Sequence, residues 1–173
     1  MKKNIMAAAF VGILFAAIGA WFGMKHLEPI APQATATDLL FAQTMPDATG
    51  QQQSLSNLKG KPLVVYFWAT WCPPCVDEMP ELSALQNEIA PANMQIIGIG
   101  IDSASNIAEF ASKYSISYPL YTGGVAATDL TRKLGNQSSG LPFTVLIDRD
   151  GQLRKTYLGR LKIEQLRKDL AEL

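Results

Sequence analysis

The chain opens with an apolar block and then changes character. Residues 5–24, IMAAAFVGILFAAIGAWFGM, run for twenty positions without a charge. No polar face interrupts the block, which argues against an amphipathic core helix. A bilayer core about 30 Å thick is crossed by about 20 helical residues, so the block predicts a transmembrane helix. Residues 28–37, EPIAPQATAT, lose all periodicity and read as a linker. Beyond Asp38 the pattern alternates. Continuous β-branched and aromatic runs at 63–69 (LVVYFWA) and 94–101 (MQIIGIGI) predict buried strands. Helical spacing follows at 73–90, where Leu82, Leu85 and Ile89 recur three and four apart, and again at 104–114. A short strand at 118–121, a helix at 125–134 and a strand at 143–147 come next. Asp148-Arg149-Asp150-Gly151 predicts a hairpin turn into a strand at 152–157. A helix at 163–173 closes the chain with Ile163, Leu166 and Leu170 on one face. Ahead of all these, 39–44 predicts a short strand, 46–50 a turn and 53–55 a return strand.

Buried strands interleaved with helices predict an α/β class with a central sheet covered by helices. The expected organisation is an N-terminal anchor over 1–27, a linker over 28–37 and one domain over 38–173. One domain is what this length supports. Lys2 and Lys3 precede the apolar block and Lys25 follows it, so the positive-inside bias sets the N-terminus in the cytoplasm and the domain outside. Cleavage of the block as a signal peptide is the alternative. The block is longer than a signal's apolar core. Its small-x-small sites are badly placed: Ala17-Ile18-Gly19 lies within the run and Ala34-Thr35-Ala36 well past it. No Cys follows that could carry a lipid.

Composition removes most other chemistries. Fifteen Lys and Arg balance fifteen Asp and Glu, so a strongly basic nucleic-acid binder is excluded. The single His, His26, sits beside the apolar block, which leaves nothing for a His-based triad. Cys72 and Cys75 are the only cysteines, too few for a disulfide scaffold.

Those two cysteines stand where a predicted buried strand hands over to a predicted helix, as Cys72-Pro73-Pro74-Cys75. A helix N-terminus offers unpaired N–H groups and the positive end of the dipole, which favour a thiolate at Cys72. Cys75 lies on the same side one turn on, placed to attack a mixed disulfide formed at Cys72. The prolines suit a first turn that needs no N–H donors. Two other readings stand beside this one. An inert structural bridge closing so short a loop would constrain the unfolded chain little. A metal site would need ligands from a second molecule. Gly98-Ile99-Gly100 lacks the third glycine of a dinucleotide fingerprint, and Asp148–Gly151 is too poor in ligands for a calcium loop.

Phe67-Trp68-Ala69-Thr70-Trp71-Cys72-Pro73-Pro74-Cys75, then Glu78-Met79-Pro80, resembles the thioredoxin superfamily and, more narrowly, its TlpA/ResA branch of membrane-anchored thiol–disulfide oxidoreductases. Leu58-Lys59-Gly60-Lys61-Pro62 and the segment 140–151, GLPFTVLIDRDG, are similar to the same branch. The resemblance covers residues 39–173. It implies a thioredoxin-like fold, a mixed sheet flanked by helices, with an N-terminal β-hairpin and an inserted strand–helix unit. It implies a proton-handling role for Glu78, which would otherwise read as a solvated helix position. It implies a cis peptide at Pro142, with Leu141 offering its backbone to substrate. Trp71 and Pro74 are further candidates for substrate contact, plain core packing being the other reading of Trp71. Pro80 is expected to kink the active-site helix. Thioredoxin itself carries a buried Asp six residues before its first Cys; here that position is Tyr66, which makes Glu78 the substitute.

The expected activity is reduction of disulfides in exported proteins, with no cofactor and no metal. The Pro-Pro dipeptide lacks the charge and donors that make a CPHC disulfide oxidising, so a potential near the roughly −270 mV of thioredoxin is expected rather than the roughly −120 mV of DsbA. The resemblance implies a DsbD/CcdA-type transmembrane electron donor and clients such as apocytochrome c, at the inner membrane and facing the periplasm. A monomer is expected. An oxidase or isomerase, or less readily a metal-binding module using both thiols, remains open. A peroxiredoxin-like peroxidase would need a peroxidatic motif that the sequence lacks.

Overall fold

The computed structural model describes residues 34–173. The predicted transmembrane helix and most of the predicted linker lie outside the described residues. Among the described residues no helix is long and apolar enough to cross a membrane.

The first element corrects the sequence expectation. The pattern over 39–44 predicts a strand, but Ala36–Phe41 form a helix, α1. The reason is a capping box. Asp38 N–H donates to Thr35 Oγ1 at 3.1 Å, and Thr35 N–H donates to Asp38 Oδ2 at 2.9 Å. The reciprocal pair satisfies two orphan donors and nucleates a turn that the apolar pattern alone does not reveal. The helix takes in Ala36 and Thr37, the last residues of the expected linker. The hairpin follows as β1 (Thr44–Pro46) and β2 (Gln52–Ser54), paired antiparallel. Its turn is organised by Asp47, whose Oδ1 accepts from Thr49 N–H at 2.9 Å and Gln51 N–H at 3.1 Å. Hydrogen bonds from Thr49 and Gln53 hold the Asp47 carboxyl down at about 2.

The remaining elements run β3 (Leu63–Trp68), α2 (Pro73–Ile89), β4 (Gln95–Gly100), α3 (Ala104–Lys113), β5 (Leu120–Thr122), α4 (Ala126–Lys133), β6 (Phe143–Ile147), β7 (Leu153–Leu158) and α5 (Ile163–Ala171). Five strands form one sheet in the order β5-β4-β3-β6-β7. β3, β4 and β5 are parallel; β6 and β7 run antiparallel to their neighbours. This is the mixed, helix-flanked sheet the sequence predicts. β5 is the edge strand beside β4, and α4 follows it.

β3 is central and buried at every position. Side chains of a strand alternate between faces, so β3 feeds two cores. Val64, Tyr66 and Trp68 pack with Leu82 and Leu85 of α2, Ile107 and Phe110 of α3, and Leu166 and Leu170 of α5. Leu63, Val65 and Phe67 pack on the other face with Leu40 and Phe41 of α1 and Leu130 of α4. The glycines of β4 exist for close packing. A Cβ at Gly100 would lie 1.9 Å from Ile107 Cδ1, and one at Gly98 would lie 2.7 Å from Leu120 Cδ2. Gly98-Ile99-Gly100 is thus a packing motif inside a strand.

Because α1 covers the second core and is held by its cap, Thr35→Ala is expected to destabilise the fold by about 1 kcal/mol. Denaturant titration reads the loss. Hydrogen exchange should show it first at Leu39 and Leu40, leaving β3 protected.

Candidate active site

The site is built at the C-terminal end of β3. The chain leaves Trp68, turns through Ala69-Thr70-Trp71, and enters α2 at Cys72. Asp102, just beyond β4, ties this turn down: Thr70 Oγ1 donates to its Oδ2 at 2.5 Å and Thr70 N–H at 3.2 Å. Burial pushes the Asp102 carboxyl up, while hydrogen bonds from Thr70, Ser103 and Asn106 pull it down, and the net direction is down.

Cys72 is the N-cap of α2, and Cys75 is disulfide-bonded to it with their Cα atoms 5.3 Å apart. Pro73 and Pro74 fill the first two helical positions. The first backbone N–H of the helix therefore belongs to Cys75, and it donates to the Cys72 carbonyl at 3.0 Å. Helix dipole favours a Cys72 thiolate, but two of the donors that would solvate it do not exist. Cys72 is 5% exposed and Cys75 fully buried. An incoming disulfide reaches Cys72 first.

One turn on, Glu78 is only 1% exposed. The solvated-face reading of this residue is therefore wrong. Its Oε1 accepts the Leu161 N–H at 2.5 Å, from the loop between β7 and α5. Its Oε2 accepts from the Tyr66 hydroxyl at 3.0 Å, and that hydroxyl also stands 3.0 Å from the Cys75 carbonyl oxygen. Arg160, an exposed side chain, brings Nε to 3.9 Å from Oε1. Burial pushes the Glu78 carboxyl up; the bonds from Leu161 and Tyr66 and the charge of Arg160 oppose it without reversing the direction. Burial and the adjacent Glu78 also drive the Tyr66 hydroxyl upward, so it stays protonated.

Of the other predicted residues, Pro142 is buried and follows a cis peptide bond from Leu141, as the resemblance implies. Leu141 is half-buried and packs against the core containing both cysteines. Pro74 is half-buried. Trp71 is 66% exposed, so the core-packing reading of it fails. Pro80 lies inside an uninterrupted α2, on its exposed side.

Two contributions escape the sequence. Tyr66 reads there as a vacancy, although it makes the polar contacts just described. The loop 159–161 carries no motif, yet it holds two parts of the site. Gly159 N–H donates to the Pro142 carbonyl at 2.8 Å, and Leu161 N–H holds Glu78. Gly159 has φ +83°, a left-handed conformation that side chains disfavour. Its Gly-Arg-Leu sequence offers only that glycine as a signal. Among the described residues no group of three or more His, Cys, Asp or Glu is placed to hold a metal ion.

The redoxin family model matches residues 30–172. The thiol-disulfide oxidoreductase ResA of Bacillus cereus is 32% identical over 178 residues, spanning 96% of this chain and 95% of that protein. The ResA of Geobacillus kaustophilus is 27% identical, spanning 98% of this chain and 97% of its own. A secreted disulfide oxidoreductase of Mycobacterium tuberculosis, homologous to E. coli DsbE, has a TM-score of 0.65 at 24% identity and covers 79% of this chain and 99% of its own. That last likeness speaks to the fold.

The buried carboxyl has a consequence for stability. Its folded midpoint lies above the usual 4.5. Between the two values the folded state binds more protons than the unfolded state, so stability falls as pH rises. The stabilising effect is complete below about 4.5 and lost as pH passes the folded midpoint. Glu78→Gln keeps a neutral carbonyl for Leu161 and cannot ionise. Thermal unfolding of the oxidised protein should show the variant more stable than the wild type at about pH 8, with the gap closing as pH falls toward the usual 4.5.

Proposed function

This chain belongs to the redoxin family and is a thiol–disulfide oxidoreductase of the ResA type, and we propose that it works as a membrane-anchored reductase of disulfides in exported proteins. The observation that carries the reading is the Cys72–Cys75 pair at the start of α2, one turn above a buried carboxyl.

The reaction runs in two exchanges. In the reduced protein the Cys72 thiolate attacks one sulfur of a client disulfide. A Cys72–client S–S bond forms, the client's own S–S bond breaks, and its other sulfur leaves as a thiolate. The Cys75 thiol then gives its proton to the Glu78 carboxylate and attacks Cys72 Sγ. The Cys72–Cys75 disulfide forms and the second client thiolate departs. Two electrons have passed to the client. A raised carboxyl midpoint suits this step, because a base works best when its own affinity approaches that of the thiol it serves. Exposed Trp71, with the half-buried Pro74 and Leu141 and the buried Pro142 beside it, forms the client-contacting rim. An extended client segment pairs with the Leu141 backbone in the manner of an added strand.

The direction of electron flow follows from the first turn of α2. A disulfide is strongly oxidising when the protein stabilises the thiolate released by its reduction. Pro73 and Pro74 remove two N–H donors from that thiolate, and the motif has no cationic side chain. Residues 5–24, with Lys2 and Lys3 before them, anchor the chain in the inner membrane with the domain on the periplasmic side. Electrons then come across the membrane from a DsbD/CcdA-type donor. Apocytochrome c, whose haem-binding thiols must be reduced, is a client of the right chemistry, and the protein acts as a monomer.

The test is the reduction potential of the full chain, equilibrated against thiol buffers. A value near or below about −250 mV is expected for a reductase. A value near or above about −180 mV would contradict reduction and assign the same site to oxidation or isomerisation. In addition, Cys75→Ser should accumulate mixed disulfides with client proteins through Cys72, and Cys72→Ser should accumulate none.

A further inference from the structure

The Tyr66 hydroxyl presents a counting problem. It carries one hydrogen and faces two oxygens at the same 3.0 Å, the Cys75 carbonyl and Glu78 Oε2. Tyr66 is fully buried, so no water supplies a second donor from outside. With Glu78 ionised, Oε1 takes the Leu161 N–H and Oε2 takes the Tyr66 hydrogen. The Cys75 carbonyl can spare that hydrogen, because it is an α-helical carbonyl with a donor inside α2. With Glu78 protonated on Oε2, the carboxyl donates to the Tyr66 oxygen, and Tyr66 turns its hydrogen to the Cys75 carbonyl. Either charge state leaves every polar atom of the trio paired. The change between them is a rotation of one O–H bond.

We propose that Tyr66 is the positioning residue of the Glu78 proton, turning its hydroxyl hydrogen toward Cys75 when the carboxyl is neutral and toward Glu78 when it is ionised. The inference rests on the reading of Glu78 as the acceptor of the Cys75 proton. It gives the strand position before the motif a purpose: Tyr66 stays protonated throughout, and it keeps a buried carboxyl able to exist in both states. The same hydroxyl links the carboxyl to the backbone of the residue whose thiol is deprotonated.

Other charged and titratable groups face Glu78, and none duplicates this arrangement. Arg160 approaches Oε1 from solvent at 3.9 Å. Glu81 lies further along α2 and opposes ionisation weakly, the least of the influences on the carboxyl. The Tyr118 hydroxyl, buried between α3 and β5, is raised by burial and by Glu78, yet it makes no hydrogen bond. Leu161 contributes a backbone N–H whose direction is fixed. Among the described residues, only Tyr66 can act as donor or acceptor to Oε2.

A hydrogen bond to an ionised carboxylate is worth about twice one to a neutral group. Removing the hydroxyl therefore costs the ionised form more and lifts the midpoint. The expected shift is about one pH unit, which lowers the ionised fraction about tenfold below the midpoint. The test follows the release of a short peptide from a preformed Cys72–peptide mixed disulfide of the full chain, the step that uses Glu78, across about pH 5–9, for the wild type, Tyr66→Phe, Glu78→Gln and the double variant. The limb of Tyr66→Phe is expected to lie about one unit above that of the wild type. Glu78→Gln should lose the limb, and adding Tyr66→Phe to it should move nothing further. A Tyr66→Phe limb at the wild-type midpoint overturns the role of Tyr66 and leaves that of Glu78 standing. A limb retained in Glu78→Gln at the wild-type midpoint overturns both. Infrared titration of the wild type gives the same answer without a variant at Tyr66. A tyrosine C–O band that shifts together with loss of the protonated carboxyl band supports the rotation, and one that stays fixed overturns it.

Discussion

The structure depends on one costly act, the burial of the Glu78 carboxyl beneath a disulfide. A carboxyl taken out of water must be neutralised or hydrogen-bonded, and here the carboxyl and its two hydrogen-bond partners come from three separate parts of the chain. Tyr66 reaches from the central strand and Leu161 from the loop before the last helix, while the carboxyl itself rides on the helix that begins with Cys72. Meeting that requirement fixes the height of the active-site helix over the sheet. It also fixes the loop 159–161, whose Gly159 N–H binds the Pro142 carbonyl. Pro142 and Glu78 are thereby tied to one short loop.

The two halves of the site treat charge in opposite ways. At Cys72 the helix dipole favours the thiolate, yet two prolines delete N–H groups that would bind it. At Glu78 burial disfavours the carboxylate, yet three groups soften the penalty. Both sites are held between extremes. A thiolate too well solvated would make the disulfide an oxidant. A carboxylate too well solvated would be a weak base for a thiol. The sequence CPPC…E expresses both choices within seven residues, Cys72 to Glu78.

Much of this is legible in the sequence, for physical reasons that differ by element. β6 spans the predicted residues, Phe143–Ile147, because a buried strand bounded by Pro142 and the Asp148 turn has sharp signals at both ends. β3 and β4 are readable as continuous apolar runs because both their faces are covered. Helix α1 escapes such a reading because hydrophobic periodicity says little over six residues, although Thr35 and Asp38 already spell a capping box. Glu78 is readable only through the family pattern, since its own helix position looks solvated. The bonds of Tyr66 are not legible there, because its hydroxyl has meaning only once the fold delivers an acceptor. The Leu161 N–H comes from 83 residues away. A backbone group leaves no side-chain trace, so that bond belongs to the fold alone.

The central claim is that one buried carboxyl, its proton held more tightly than in water, organises the site. Its most direct test is a carbon-13 NMR titration of the Glu78 side-chain carboxyl in the oxidised full chain. The expected midpoint lies clearly above the usual 4.5, with the Leu161 amide proton shifting at the same pH. A midpoint at or below about 4.5 would contradict the claim, because burial would then no longer outweigh the bonds from Leu161 and Tyr66 and the charge of Arg160.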